Sequence, residues 1–207
     1  MVDKDLLSIQ EARSLVRAAR AAQAEYATFD QARIDAVCKA VCEIGAAHAE
    51  ELGQMAHEET GYGKPQDKKI KNLLATRGVY EAIKDMKTVG VLGEDREGKV
   101  MEIAVPVGVI AGVVPSTNPT STVFYKSLIA LKAGNAIVFT PHPAAKNCTV
   151  KAVELVKEAV KGCGVNPDIV SVITTPTMEG SAELMKIADL ILATGGPGMV
   201  KAAYCSG

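Results

Sequence analysis

The chain has 207 residues, enough for one large domain or two small ones, and its 48% hydrophobic content is ample for a packed interior. Lys and Arg number 23 against 24 Asp and Glu, so no strong positive field favours a nucleic acid, and 4% aromatic residues with no Trp leave little for stacking bases or sugars. The N-terminal stretch carries acidic residues and no long apolar run, so it does not read as a signal peptide, and no segment has the length to span a bilayer.

The first 88 residues read as helical. Ser8 and Glu11 have capping-box spacing, which predicts a helix start there, and Leu15, Ala19, Ala22 and Tyr26 follow at helical intervals. Asp30 is expected to cap a second helix whose buried face carries Ile34, Val37, Val41 and Ile44. Further helix runs over residues 52–59 to the glycines at 61 and 63, and a third segment covers 67–86. Within it Lys68, Lys69 and Lys71 are expected to form a solvated face. The period then changes to that of strands. Residues 89–92 and 100–105 around a turn region at 93–98 predict a β-hairpin.

From residue 107 strand and helix alternate. Strands are expected at 107–114, 136–139, 169–173 and 190–193, and helices at 119–131, 146–161, 178–187 and from 199 onward. Strands that are apolar along their whole length are buried on both faces, as in a parallel sheet with helices on each side. The fold class is therefore α/β, a doubly wound parallel sheet of Rossmann type, preceded by N-terminal helices and a hairpin. The expected organisation is a helical region over 1–88 packed on the nucleotide domain, a hairpin at 89–106 that could serve oligomerisation, and a dinucleotide-binding unit over 107–207.

Open sheets of this kind bind ligands beyond the carboxyl ends of their strands, which directs attention to three loops. Pro115, Ser116, Thr117, Asn118 and Pro119 follow the first buried strand. The three polar residues either cap the next helix or offer donors at its N-terminus to a phosphate or oxyanion. His142 stands between Pro141 and Pro143 in an extended, exposed setting, where it lines a nucleotide or simply faces water. Thr194, Gly195 and Gly196 precede Pro197 and Gly198, giving either close backbone approach to a ligand or an ordinary strand-to-helix turn. The G-x-G-x-x-G fingerprint is absent. The five cysteines form no paired framework and are expected to be free thiols in a reducing cytoplasm. Cys38 and Cys42 are spaced for a metal but lack further ligands, so core packing is expected and no metal site is assigned. Cys205, the one candidate nucleophile, lies too far into its helix for the helix start to activate it and is expected to pack on the sheet.

Residues 113–122 (VVPSTNPTST), 135–143 (NAIVFTPHP) and 192–204 (LATGGPGMVKAAY), with 87–92 (KTVGVL) before the hairpin, resemble the CoA-acylating aldehyde dehydrogenases. The likeness runs over essentially the whole chain and is similar to the aldehyde half of bifunctional aldehyde-alcohol dehydrogenases and to acylating acetaldehyde, succinate-semialdehyde and sulfoacetaldehyde dehydrogenases. It implies an aldehyde-dehydrogenase-like fold and the reaction of a small aldehyde, CoA and NAD or NADP to acyl-CoA and the reduced cofactor. In such enzymes a cysteine thiolate adds to the aldehyde, and CoA later takes the acyl group. Carried over by position, Asn118 matches the asparagine that donates to the thiohemiacetal oxygen. Pro115, Ser116 and Thr117 border the cofactor, Thr194, Gly195 and Gly196 pack near it, and His142 falls where the adenosine ribose is contacted. The family's nucleophilic cysteine belongs to a second domain beyond residue 207, so the chain is expected to be a truncated part of a cytoplasmic homo-oligomer, inactive alone. No nucleic-acid or membrane partner is expected; association with a bacterial microcompartment is an option, but with no flexible linker after it the first helix is expected to be integral to the fold rather than a docking peptide. The alternatives are part of a non-acylating aldehyde dehydrogenase or a non-catalytic assembly fragment.

Overall fold

The computed structural model describes residues 3–206. Helix α1 (Lys4–Tyr26) starts four residues before the expected capping box, because Asp3 accepts the Asp5 amide and serves as the cap. Ser8 is instead buried inside α1, and Glu11 reaches across the molecule to accept from the Thr174 amide and hydroxyl and the Thr175 amide at 2.6–3.0 Å. Asp30 caps α2 (Gln31–Ala47) through the Arg33 amide, and α3 (Ala49–Thr60) stops at Gly61, whose φ of +69° is the left-handed conformation glycine adopts most readily. Next come α4 (Pro65–Leu73), a π-turn at Leu74–Gly78 and α5 (Val79–Ile83).

Strands β1 (Gly90–Asp95) and β2 (Val100–Ala104) form the expected antiparallel hairpin. The α/β unit then contains β3 (Val109–Val114), α6 (Pro119–Lys132), β4 (Ala136–Pro141), α7 (Lys146–Gly162), β5 (Val170–Val172), α8 (Met178–Ile187), β6 (Leu190–Ala193) and α9 (Pro197–Tyr204). The four strands are parallel in the order β5-β4-β3-β6. Every residue of β3 and β4 is buried, as their unbroken apolar sequences require. The expectation fails at β6, where Leu190 is 45% exposed, because β6 pairs only with β3 and forms the sheet edge.

The chain winds outward from β3 to β5 and returns to the other side of β3 with β6, so the strand order reverses between β3 and β6. Right-handed crossovers place α6 and α7 on one face and α8 on the opposite one. Helix α2 packs outside α6 and α7, and α1 packs on α8 so closely that a β-carbon at Gly180 would collide with Ser8. Arg20 closes this layer with a bidentate ion pair to Asp189 at 2.9 and 3.0 Å. Helix α1 is an integral part of the packed unit, with Ala12, Val16, Ala19, Ala22 and Tyr26 in the core. Among the described residues no helix is long and apolar enough to cross a membrane.

Candidate cofactor site

Reversal of strand order opens a crevice at the carboxyl ends of β3 and β6, where neighbouring loops leave in opposite directions. A cleft of about 900 Å³ lies there. Its lining includes all eight residues expected from the sequence: Pro115, Ser116, Thr117 and Asn118 after β3, His142 after β4, and Thr194, Gly195 and Gly196 after β6.

Asn118 occupies the N-cap position of α6, yet its side chain makes no capping bond. Its Oδ1 instead accepts from the Lys71 ammonium at 3.1 Å. Capping therefore does not account for this loop, and the donor end of α6 faces the cleft. Gly196 has φ −70° and a β-carbon there would meet nothing within 4 Å, so the bend after β6 leaves open space above the backbone. The Thr194 hydroxyl is engaged with the Tyr125 hydroxyl at 2.7 Å, which ties the β6 loop to α6. His142 Nδ1 accepts the Ala144 amide at 3.1 Å, which leaves Nε2 as the free edge of an exposed ring.

Sequence reasoning missed three contributors. The first is the loop after β5 with the start of α8, where Pro176, Thr177, Met178 and Ser181 form a wall pinned by a 2.7 Å bond between the Ser181 and Thr140 hydroxyls. The carboxyl-end rule would have found it had it been applied to β5 as well. The second is the lysine face of α4. Lys68 is buried and donates to the Thr117 carbonyl at 2.8 Å, whereas Lys71 and Lys69 stay on the solvated side, Lys71 reaching Asn118 at the cleft rim and Lys69 reaching Glu50. The expected solvated face thus fails only at Lys68, because α4 docks against the start of α6 through Asn72, which accepts from the Thr120 hydroxyl.

The third is Lys126, fully buried beneath the cleft floor, where its ammonium bridges the carbonyls of Val113 on β3 and Leu192 on β6 at 2.7 and 2.5 Å. No carboxylate accompanies it there, and burial pushes its pKa down to about 7. The folded chain therefore binds fewer protons at this lysine than the unfolded chain between pH 7 and its ordinary value of about 10.4. Stability contributed by this group is lowest below pH 7 and rises as the pH climbs through that window. Lys126→Met, close in volume and uncharged, is expected to remove this rise. Urea unfolding at pH 6 to 9.5 reads it as a wild-type-minus-variant difference that grows in favour of wild type; a flat difference would show that Lys126 does not titrate.

None of the five cysteines lines the cleft. Cys38, Cys42 and Cys148 are buried, and burial raises all three thiols, Cys38 to about 12. Cys205 departs from expectation: it is exposed at the C-terminal cap of α9 rather than packed on the sheet. Among the described residues no group of three or more His, Cys, Asp or Glu is placed to hold a metal.

The aldehyde dehydrogenase family model matches residues 5–203. The chain belongs to the aldehyde dehydrogenase family. Its relatives include acylating members of that family. It is 48% identical over 202 residues to the bifunctional aldehyde-alcohol dehydrogenase AdhE of Escherichia coli K12, covering 97% of this chain and 23% of that protein. An acetylating aldehyde dehydrogenase from Geobacillus thermoglucosidasius superposes with a TM-score of 0.97 at 50% identity, over 100% of this chain and 46% of that one. A propionaldehyde dehydrogenase from Rhodopseudomonas palustris, solved with bound propionyl-CoA, matches with a TM-score of 0.81 at 29% identity, over 95% of this chain and 44% of that one. The chain thus spans 23–46% of the length of these relatives. Within an aldehyde dehydrogenase frame, the cleft at the strand reversal supplies hydrogen-bond donors, cations and open backbone but no thiol.

Proposed function

We propose that this chain forms the nicotinamide-cofactor site of an acylating aldehyde dehydrogenase, which converts a small aldehyde, CoA and NAD or NADP to acyl-CoA and the reduced cofactor. The observation that carries the reading is the convergence of the uncapped α6 terminus, the open backbone at Gly196 and Lys71 on one cleft at the strand reversal. The cleft volume lies within the range of small-molecule and cofactor pockets. A dinucleotide is matched by these features: its negative charge by the donor end of α6, its close approach by Gly195 and Gly196. Pro115, Ser116, Thr117 and Thr194 shape the floor, and His142 offers Nε2 at the outer end, toward a ribose. When bound, the nicotinamide supplies the hydride acceptor. Asn118 is the donor aimed at the oxygen of the reacting aldehyde, where negative charge develops once a thiol has added.

On this reading residues 1–88 brace the dinucleotide-binding unit at 107–207, and the hairpin at 89–106 serves assembly. Its exposed apolar residues Val91, Leu92, Val100, Met101 and Ile103 support a homo-oligomer of a cytoplasmic enzyme. The thiol nucleophile comes from outside this chain. The purified 207-residue chain is therefore expected to show no NAD- and CoA-dependent oxidation of acetaldehyde in a spectrophotometric assay of NADH formation. Turnover would overturn that expectation and make Cys205, the one exposed thiol, the residue to mutate next.

A further inference from the structure

A lysine ammonium carries three donors and no acceptor, so the Asn118 amide atom that it touches must be the carbonyl oxygen. That contact settles which way the amide faces. With Oδ1 taken by Lys71, Nδ2 is the amide atom left for the cleft, and among the described residues it donates to no protein atom. We propose that Lys71 is the positioning residue for Asn118: its ammonium fixes the amide with Nδ2 presented to the cleft and polarises it as a donor. The inference rests on reading Asn118 as the oxyanion donor, and adds the group that orients it.

Local construction supports the assignment. Lys68 and Lys71 sit one turn apart on α4, and each grips the loop before α6, Lys68 at the Thr117 carbonyl and Lys71 at Asn118 itself. Asn72, 1% exposed and next to Lys71, fixes the helix by donating to the Ala49 carbonyl at 3.0 Å and accepting the Thr120 hydroxyl at 2.9 Å. Asn118 is thus held on both sides, at 117 and at 120, by neighbouring residues of a single helix. A charged donor on Oδ1 draws electron density from the amide, so the N–H groups on its far side become stronger donors toward an anion. Lys71 spans the gap between α4 and the loop with a flexible stem, and among the described residues no carboxylate competes for its ammonium.

Side-chain amide resonances of Asn118 in the 207-residue chain, labelled with nitrogen-15 asparagine, read the contact directly. In Lys71→Met the Asn118 Nδ2 proton pair is expected to shift more than any backbone amide outside the α4–loop contact, and in Lys71→Arg to return close to its original position. Lys71 is exposed, so both variants are expected to fold as the unaltered chain does, and Lys71→Gln, which keeps a donor but no charge, is a third arm. An Asn118 pair that stays in place in every arm overturns the proposal. NADH addition separates this inference from the cofactor reading. A pair that responds to Lys71, in a chain where no resonance responds to millimolar NADH, upholds the positioning contact and removes the dinucleotide from the cleft.

Discussion

Gly196→Ala is expected to leave the fold intact and to weaken NADH binding by about tenfold or more, a loss of roughly 1.4 kcal/mol at least. The two halves of this result come from one position. Backbone φ at Gly196 is −70°, which alanine adopts without strain, and a β-carbon there meets nothing within 4 Å, so the free chain has room for it. Thermal unfolding should hardly change. That open space is also where the ligand's closest approach to the β6 loop is assigned, and a methyl group would hold it off. Calorimetry with NADH alongside a melting curve reads both halves. Undiminished affinity in the folded variant would move the ligand away from the β6 loop. A large fall in melting temperature would show that the position is structural after all.

The largest expected loss of stability follows Phe124→Ala, about 3–5 kcal/mol from lost burial and the cavity left behind. Phe124 is fully buried on α6, and its ring lies against Gly45 of α2, where a β-carbon would approach to 2.5 Å. It fills the seam between the helical N-terminal layer and the helix that begins at Asn118. For a chain of this size the loss lowers the melting temperature by roughly 10 °C. Urea unfolding should show a lower midpoint with little change in slope. A loss under about 1 kcal/mol would show that the seam relaxes around the gap. The seam would then carry little of the coupling between the two layers.

Apolar runs made the sheet readable from the sequence. β3 and β4 bury every residue, so period and burial agree, and the loops after β3, β4 and β6 could be placed at one edge before any contact was known. What the sequence hid depends on long-range approach. Docking of α4 on α6 buries Lys68 and brings the exposed Lys71 to Asn118, 47 residues away along the chain, and nothing in their local spacing announces either contact. Ser8 and Glu11 carry the spacing of a local cap, but Glu11 accepts from Thr174, 163 residues distant, because α1 lies against α8. Spacing alone cannot tell a local partner from a remote one. Lys126 left a fainter signal: a lysine in the middle of α6, which a buried helix tolerates only where carbonyls receive it.

Calorimetric titration of the 207-residue chain with NADH asks whether the cleft between β3 and β6 binds a nicotinamide dinucleotide. A saturable one-to-one isotherm is the expected result. No heat of binding at millimolar NADH, from a chain that melts cooperatively, would contradict it.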